Sequence, residues 1–216
     1  MFIGHYALAF AAKKASPRTN LGALLLAASW LDVVWPVLLL ADLEQVRIRP
    51  GATAYTPLEF VHYPWSHSLL FTVLWGLLLG GLAFAWSRNL RSAGWIGALV
   101  VSHWVLDWLT HAPDLPLLPG GARVGLGLWN SVPATVGLES AMFLAGVALY
   151  LRATRARGWT GHVSLWSLVL TFAVMYAGNS LGLALPPSER ALAWSALIGW
   201  LPPFWGLWIE RTRQAR

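Results

Sequence analysis

The chain has 216 residues, of which 57% are hydrophobic and only 11% are charged. Soluble globular domains are about one quarter charged, so this composition, with a mean hydropathy of +0.57, predicts a protein that resides in lipid. The sequence contains no cysteine, which excludes disulfides, thiolate metal sites and cysteine nucleophiles. The net charge of +6 comes from short basic clusters, a pattern that favours membrane orientation and argues against nucleic-acid binding.

The first dozen residues are apolar and end at Lys13 and Lys14. We do not expect a signal peptide, because the basic residues follow the apolar segment and no small-residue cleavage site is evident. The segment is also too short to span a bilayer. Two alternatives are an amphipathic helix on the inner surface and a re-entrant half-helix whose free end is covered by protein. In the second, His5 lies about 12 Å deep, at 1.5 Å per residue.

Six apolar runs of nearly the length that spans a bilayer, about 20 residues, follow in the chain. They cover 21–41, 66–87, 92–111, 133–152, 162–184 and 190–209. No internal repeat and no low-complexity linker interrupts them. The sequence therefore predicts an all-α fold, a polytopic membrane helical bundle of about six transmembrane helices that forms a single domain over residues 1–216.

Arginine and lysine positions predict the orientation of these spans. Basic clusters precede the first run, separate the second from the third and the fourth from the fifth, and follow the sixth. With six spans, all of these clusters fall on one side of the membrane. The opposite loops, at 42–65, 112–132 and 185–189, are poorer in basic residues. We therefore expect a multi-pass protein with both termini in the cytoplasm.

A polar stripe interrupts the third run, in the stretch "SHWVLDWLTHAPD". His103, Asp107 and His111 are four residues apart, so they lie on one face of a helix. An ionisable residue inside a span costs at least about 2.5–3.5 kcal/mol, which calls for a functional reason. Imidazole nitrogen with carboxylate oxygen suits Zn²⁺, and Mn²⁺ or Fe²⁺ as alternatives. The stripe predicts one wall of a metal site, with His111 joining from the outer end.

Polar groups of other spans fall at similar depth. The helical rise places Asp32 and His103 about 18 Å, and Asp107 about 24 Å, from the cytoplasmic edge of their spans. His67 enters from the outer side and lies near the depth of Asp107, and Glu139 lies at a similar height. Groups from four spans therefore converge in the outer half of the membrane, as side chains do in the cofactor sites of helical bundles.

This layer predicts hydrolytic chemistry. A divalent metal held by His67, His103 and Asp107 lowers the pKa of water and polarises an ester or phosphoryl oxygen. Asp32 or Glu139 is then the candidate general base. Each group also has a structural interpretation, because a histidine inside a membrane often forms hydrogen bonds between helices.

Four segments together resemble a known family: "MFIGHYALAF", "WLDVVWP", "HYPWSHSLLF" and "SHWVLDWLTH". They are similar to the bacterial inner-membrane proteins of the DUF457 or YdjM-like group, which are predicted metal-dependent hydrolases. The resemblance covers roughly residues 1–115. Its motif positions correspond to His5, Asp32, His62 with His67, and His103 with Asp107. The resemblance thus implies a bacterial inner-membrane location and adds His5 and His62 to the metal ligands.

Two positions depart from the family pattern. The family loop often carries an arginine where this chain has Tyr63-Pro64-Trp65-Ser66. An Asp-x-Asp pair is common after the first span, and here Val34 occupies the second place. The hydrolase activity is itself a prediction for that group, so it transfers to this chain as an expectation.

The expected function is a membrane-embedded metal-dependent hydrolase that acts on a lipid or lipid-linked substrate. Membrane lipids are the expected partners, with no protein or nucleic-acid partner. A transporter that moves a metal ion or protons through the same cluster is an alternative from another class. A membrane scaffold in which the cluster is structural is a third.

A fourth alternative is a PAP2-type membrane phosphatase. Arg49-Pro50, the segment 64–67 and His103 with Asp107 look partly similar to its motifs. However, Asp42 stands where that family has a lysine, and Ile96-Gly97 where it has Ser-Arg. The fit is poor, because a phosphate cradle needs those cations.

Overall fold

The computed structural model describes residues 1–182 and 186–216, and this part of the chain is mostly helical. The helices are α1 (Ile3–Ala15), α2 (Leu21–Ala28), α3 (Trp30–Leu40), α4 (Pro64–His67), α5 (Leu69–Ser87), α6 (Leu90–Thr110), α7 (Val132–Ala153), α8 (Trp159–Ser180), α9 (Glu189–Ala196) and α10 (Leu201–Thr212). Short 3-10 helices cover Leu128–Asn130 and Leu197–Trp200. The strands are β1 (Gln45–Ile48), β2 (Leu58–His62), β3 (Leu115–Pro116), β4 (Arg123–Val124), β5 (Thr154–Ala156) and β6 (Arg213–Ala215).

In the described residues, four helical segments are long and apolar enough to cross a membrane: α5, α7, α8 and the stretch Glu189–Thr212 that contains α9 and α10. The pair α2 and α3, bent by 58°, makes a fifth if it is counted as one span. The predicted count of six is therefore not confirmed. Helix α6 covers the predicted third run and has 21 residues, but its polar side chains make it less apolar than the other four. The predicted fifth run, 162–184, and the predicted loop 185–189 lie partly outside the described residues.

Several helices begin at a polar side chain that accepts a hydrogen bond from a main-chain amide of the first turn. The Ser68 side chain accepts a hydrogen bond from the Phe71 amide and begins α5. Asn89 caps α6 in the same way, and Ser131 caps α7 one position before the Val132-Pro133 pair. These side chains satisfy amide groups that have no partner within the helix.

Helix α1 lies inside the bundle, where it packs on α7 and also contacts α2 and α6. Nine of its 13 residues are buried. The contact with α7 is close, because a Cβ atom on Gly146 would overlap the carbonyl oxygen of Ala7. At its other end, Lys13 Nζ lies 2.6 Å from Glu210 Oε1 of α10. This burial fits a helix covered by protein better than a helix that lies on the membrane surface.

Short strands in the segments between helices pair with one another. Strand β5, after α7, pairs antiparallel with β6, after α10. The loops that carry β2 and β4 also meet, since Arg123 Nη2 donates to the Val61 carbonyl at 2.8 Å and the Tyr55 amide donates to the Trp129 carbonyl at 2.9 Å. The two predicted outer loops therefore pack on each other.

Candidate metal centre

Four helices contribute to one group of side chains, which we call the His/Asp cluster: His5 of α1, Asp32 of α3, His67 of α4, and His103 and Asp107 of α6. His103 Nε2 lies 3.1 Å from Asp107 Oδ2 and 3.7 Å from Asp32 Oδ1. His67 Nε2 lies 3.6 Å from Asp32 Oδ1 and 3.7 Å from Asp107 Oδ2. The predicted convergence of His67, His103, Asp107 and Asp32 is thus observed. Asp32 is the exposed member, with 44% of its side chain accessible.

His5 completes the cluster from α1. Its Nε2 lies 3.2 Å from Asp107 Oδ1, and its ring stacks on His103 with a centroid separation of 3.5 Å and an angle of 6°. The amino group of Met1 lies 2.6 Å from the same carboxylate oxygen. The two oxygens of Asp107 thus face different neighbours, His5 on one side and His67 with His103 on the other.

The orientation of His103 follows from the break between α2 and α3. Helix α2 ends at Ala28, so the Ala28 carbonyl is free of an intrahelical partner, and it lies 2.8 Å from His103 Nδ1. A carbonyl oxygen only accepts, so Nδ1 donates the proton. In the neutral ring, Nε2 then presents its lone pair towards the carboxylates. Fixing the tautomer through the second nitrogen is typical of histidines that bind metals.

His67 is oriented by a chain of hydrogen bonds. Its Nδ1 lies 2.7 Å from Ser66 Oγ, which itself donates to Glu44 Oε2 at 2.6 Å. Glu44 Oε1 also accepts from the amides of Trp65 and Ser66. Because the serine proton goes to Glu44, Ser66 Oγ accepts from His67 Nδ1–H and leaves Nε2 free. Burial raises the pKa of Glu44 above its usual range, and these donors oppose that shift.

A cavity of about 170 Å³ opens beside the cluster. We call it the polar cavity, because Asp32, His67 and Asp107 line it. Helix α3 exposes Asp32 there, and Pro36 lacks the amide that would bond the Asp32 carbonyl one turn before it. Trp35 and Trp129 line the same cavity. Among the described residues, the indole nitrogens of both tryptophans are buried without a hydrogen-bond partner.

His111 lies near the cluster, but its contacts are elsewhere. It lines the polar cavity, and its Nδ1 lies 2.9 Å from Asp114 Oδ1, which also accepts from the Tyr63 hydroxyl at 2.9 Å. Asp114 therefore holds His111. His111 belongs to neither group of residues whose ligand atoms lie close enough together to hold an ion.

The structure does not bring His62 to the cluster. Its side chain is exposed at the end of β2 and lines a separate pocket together with Arg123. The register explains this position, because β2 pairs His62 with Gln45 on the neighbouring strand and the chain turns into α4 before reaching His67.

Glu139 is buried in α7 and binds the start of α1. Its Oε2 accepts from the amides of Phe2 at 2.8 Å and Gly4 at 3.2 Å. Its Oε1 has no partner among the described residues. Glu139 does not line the polar cavity. Its hydrogen bonds go to the start of the helix that carries His5.

The cluster fits a divalent metal ion. Two sets of residues hold ligand atoms within 4.8 Å of one another, one of His5, His103 and Asp107 and one of Asp32, His67 and His103. A tetrahedral site with bonds of about 2.0–2.1 Å spaces its ligand atoms roughly 3.3 Å apart. The five nitrogen-to-oxygen distances among the cluster residues given above run from 3.1 to 3.7 Å. His5 Nδ1 and His103 Nε2 are buried without hydrogen-bond partners in the described part of the chain.

Sequence reasoning missed the two residues behind His67. Ser66 stands directly before His67 in the sequence, which was an available signal. Glu44 lies 23 positions away from His67, in a loop without helical periodicity. Only the packing of that loop on α4 makes Glu44 part of the site.

Fold and site together define a helical membrane protein with a buried His/Asp cluster that can hold a metal ion. The chain belongs to the YdjM inner membrane protein family, which matches residues 1–184. The resemblance drawn from the four sequence segments is thereby confirmed, and the match extends well beyond them. Comparisons with curated proteins and with solved structures gave no match.

Proposed function

We propose that the protein is a membrane-embedded metal-dependent hydrolase that acts on a lipid or lipid-linked substrate. One observation carries the proposal: His67 and His103 both direct Nε2 at the carboxylates of Asp32 and Asp107, at 3.1–3.7 Å. Their other nitrogens are engaged by Ser66 and by the Ala28 carbonyl. Side chains held in this way are preorganised ligands, since the protein has already fixed their tautomers.

The bound ion would be divalent, with Zn²⁺ as the first candidate and Mn²⁺ or Fe²⁺ as alternatives, because the ligands are imidazoles and carboxylates. When bound, it would polarise a phosphoryl or ester oxygen and lower the pKa of water towards neutrality. His67, His103 and Asp107 are the proposed ligands, and His5 adds a fourth side chain from the opposite face of Asp107.

Asp32 is the proposed general base. It is the accessible member of the cluster and lines the polar cavity, so a substrate or water there is within reach of its carboxylate. Glu139 is the alternative base from the sequence, but its contacts favour a positioning role. By accepting the amides of Phe2 and Gly4, it fixes the start of α1 and therefore His5.

We further propose that the chain crosses the inner membrane six times. Helix α6 is the sixth span, although it is less apolar than the candidate spans named above. Helix α6 packs closely on α5, where Gly76 faces Gly97 and Gly80 faces Ala93, and this packing on a candidate membrane span supports the proposal. The pairing of β5 with β6 brings two basic segments together, as expected if both lie in the cytoplasm. Helix α1 is then a re-entrant helix, covered by α2, α6 and α7.

Metal analysis of the purified protein tests the proposed function. We expect close to one divalent ion per chain in the wild type, and loss of most of that ion in His103→Ala. His162→Ala is the matched control, because His162 is an exposed histidine of α8. His62→Ala is a second comparison and should retain the metal, because the structure places His62 outside the cluster.

Equal metal content in the wild type and in His103→Ala, with both proteins folded, would contradict the metal site. Metal present without hydrolysis of any carboxylic or phosphoric lipid ester would contradict the hydrolase. The transporter is the alternative, and the 58° bend between α2 and α3 favours it, because broken helices form the binding sites of many transporters. Metal-ion flux into proteoliposomes separates the two functions.

A further inference from the structure

A second cavity adjoins the polar one and is almost entirely apolar. It measures about 210 Å³ and lies between α8 and the segment from α9 to α10. Phe2, Asp32 and Trp35 line both cavities. The two spaces therefore share a wall, and Asp32 stands where the apolar cavity meets the His/Asp cluster.

The apolar cavity offers few polar contacts along its length. The hydroxyl of Thr171 is engaged by the Ser167 carbonyl, and the indole nitrogen of Trp205 donates to the Ser164 carbonyl. Phe172 and Leu168 form the buried floor. A hydrocarbon fits this lining, because most of it is apolar and its remaining polar side chains are Tyr6, Asp32 and Trp35.

The cavity reaches the outside of the bundle. Ile198 is 49% exposed, Leu201 53% and Met175 37%, and all three line it. They belong to α8 and to the stretch Glu189–Thr212, which are both candidate membrane spans. The opening therefore faces the region where lipid chains lie, and a lipid would enter it sideways from the bilayer.

We propose that the apolar cavity, which we call the groove from here on, holds one hydrocarbon chain of a lipid ester. The polar head of that ester lies in the polar cavity against the His/Asp cluster. The size favours a single chain, since 210 Å³ is below the roughly 300–1,000 Å³ of sites for drug-sized ligands. Trp35 supports the junction, because this residue lines both cavities and its buried indole N–H has no partner in the described residues. An ester or phosphoryl oxygen would accept from that N–H. The chemistry at the polar head of the lipid rests on the proposed function. The placement of the hydrocarbon chain rests on the groove alone.

Photo-crosslinking tests the groove without relying on activity. The probe is a lysophosphatidic acid with a diazirine in the middle of its single acyl chain, added to the full-length protein in nanodiscs. We expect crosslinks to concentrate on peptides of α8 and α10 that carry Phe172 and Trp205, and an excess of unlabelled lysophosphatidic acid to remove them.

Gly199→Leu is the variant that blocks the groove. Gly199 lines it, and an added Cβ meets only Val33 Cγ2 at 3.8 Å, so the larger side chain is expected to project into the cavity. Labelling of α8 and α10 should fall at least about fivefold. Gly137→Leu is the matched control, because Gly137 is a helical glycine with nothing within 4 Å of its added Cβ. If Gly199→Leu does not fold, Met175→Trp narrows the mouth from the opposite wall.

The outcomes separate this inference from the proposed function. Crosslinks spread evenly over the lipid-facing helices, or unchanged by a folded blocking variant, would overturn the groove even if the protein binds metal. Groove-specific crosslinks in a protein without metal would support the groove and overturn the hydrolase.

Discussion

At the scale of the residue, the main finding is how the cluster histidines are held. His103 depends on a main-chain carbonyl that is free because α2 ends at Ala28. His67 depends on Ser66 and, through it, on Glu44. Both arrangements leave Nε2 directed at carboxylates. Each of the two histidines is thus held through Nδ1 by a group that is not itself a proposed metal ligand.

Removing the Ser66 hydroxyl should therefore weaken metal binding without removing a ligand. We expect Ser66→Ala to lower metal affinity about 10–100-fold, the usual effect of losing such a partner, as measured by competition with a chromophoric chelator. Ser66→Thr keeps the hydroxyl and should restore most of the affinity. Ser87→Ala, at an exposed serine, is the control, and an unchanged affinity in Ser66→Ala would show that Glu44 and Ser66 do not act on His67.

At the scale of the element, α1 matters most, because it carries His5 into the bundle. Its path depends on Gly146 of α7, whose missing side chain lets the Ala7 carbonyl approach. Glu139, on the same helix α7, accepts the amides at the start of α1. One helix therefore positions α1 both along its length and at its end.

Gly146→Ala should displace α1. The added methyl would overlap the backbone of α1, and overpacking of this kind costs about 1–3 kcal/mol. We expect the midpoint of thermal unfolding in detergent to fall by several degrees, and metal affinity to fall with it as His5 moves. Gly137→Ala lies in the same helix with open space around it and should leave both unchanged. An unaltered midpoint in Gly146→Ala would argue against the close contact.

At the scale of the whole molecule, the orientation can be tested directly because the chain has no cysteine. Leu118 lies between β3 and β4 and is 52% exposed, and Ser87 lies exposed at the end of α5. A membrane-impermeant maleimide should modify Leu118→Cys in intact spheroplasts, and Ser87→Cys only after lysis. The reverse pattern would place the termini outside the cytoplasm.

The amino-acid sequence by itself determined the membrane environment, the approximate limits of the apolar helices and the family. It also determined that His103 and Asp107 share a face, because side chains four residues apart in a helix always do. Depth along each helix follows from the constant rise, so it was also predictable that Asp32, His67 and Asp107 lie at similar depth in the membrane.

Only the tertiary structure decided which nearby polar groups join the cluster. Depth leaves the rotation and packing of each helix open, and those depend on contacts between segments far apart in the chain. His62 and His67 are five residues apart, yet a strand pairing leaves the first exposed while α4 buries the second. Glu44 enters the site for the same reason, because the packing of its loop on α4 places its carboxylate against Ser66. No periodic pattern in the sequence predicts this contact.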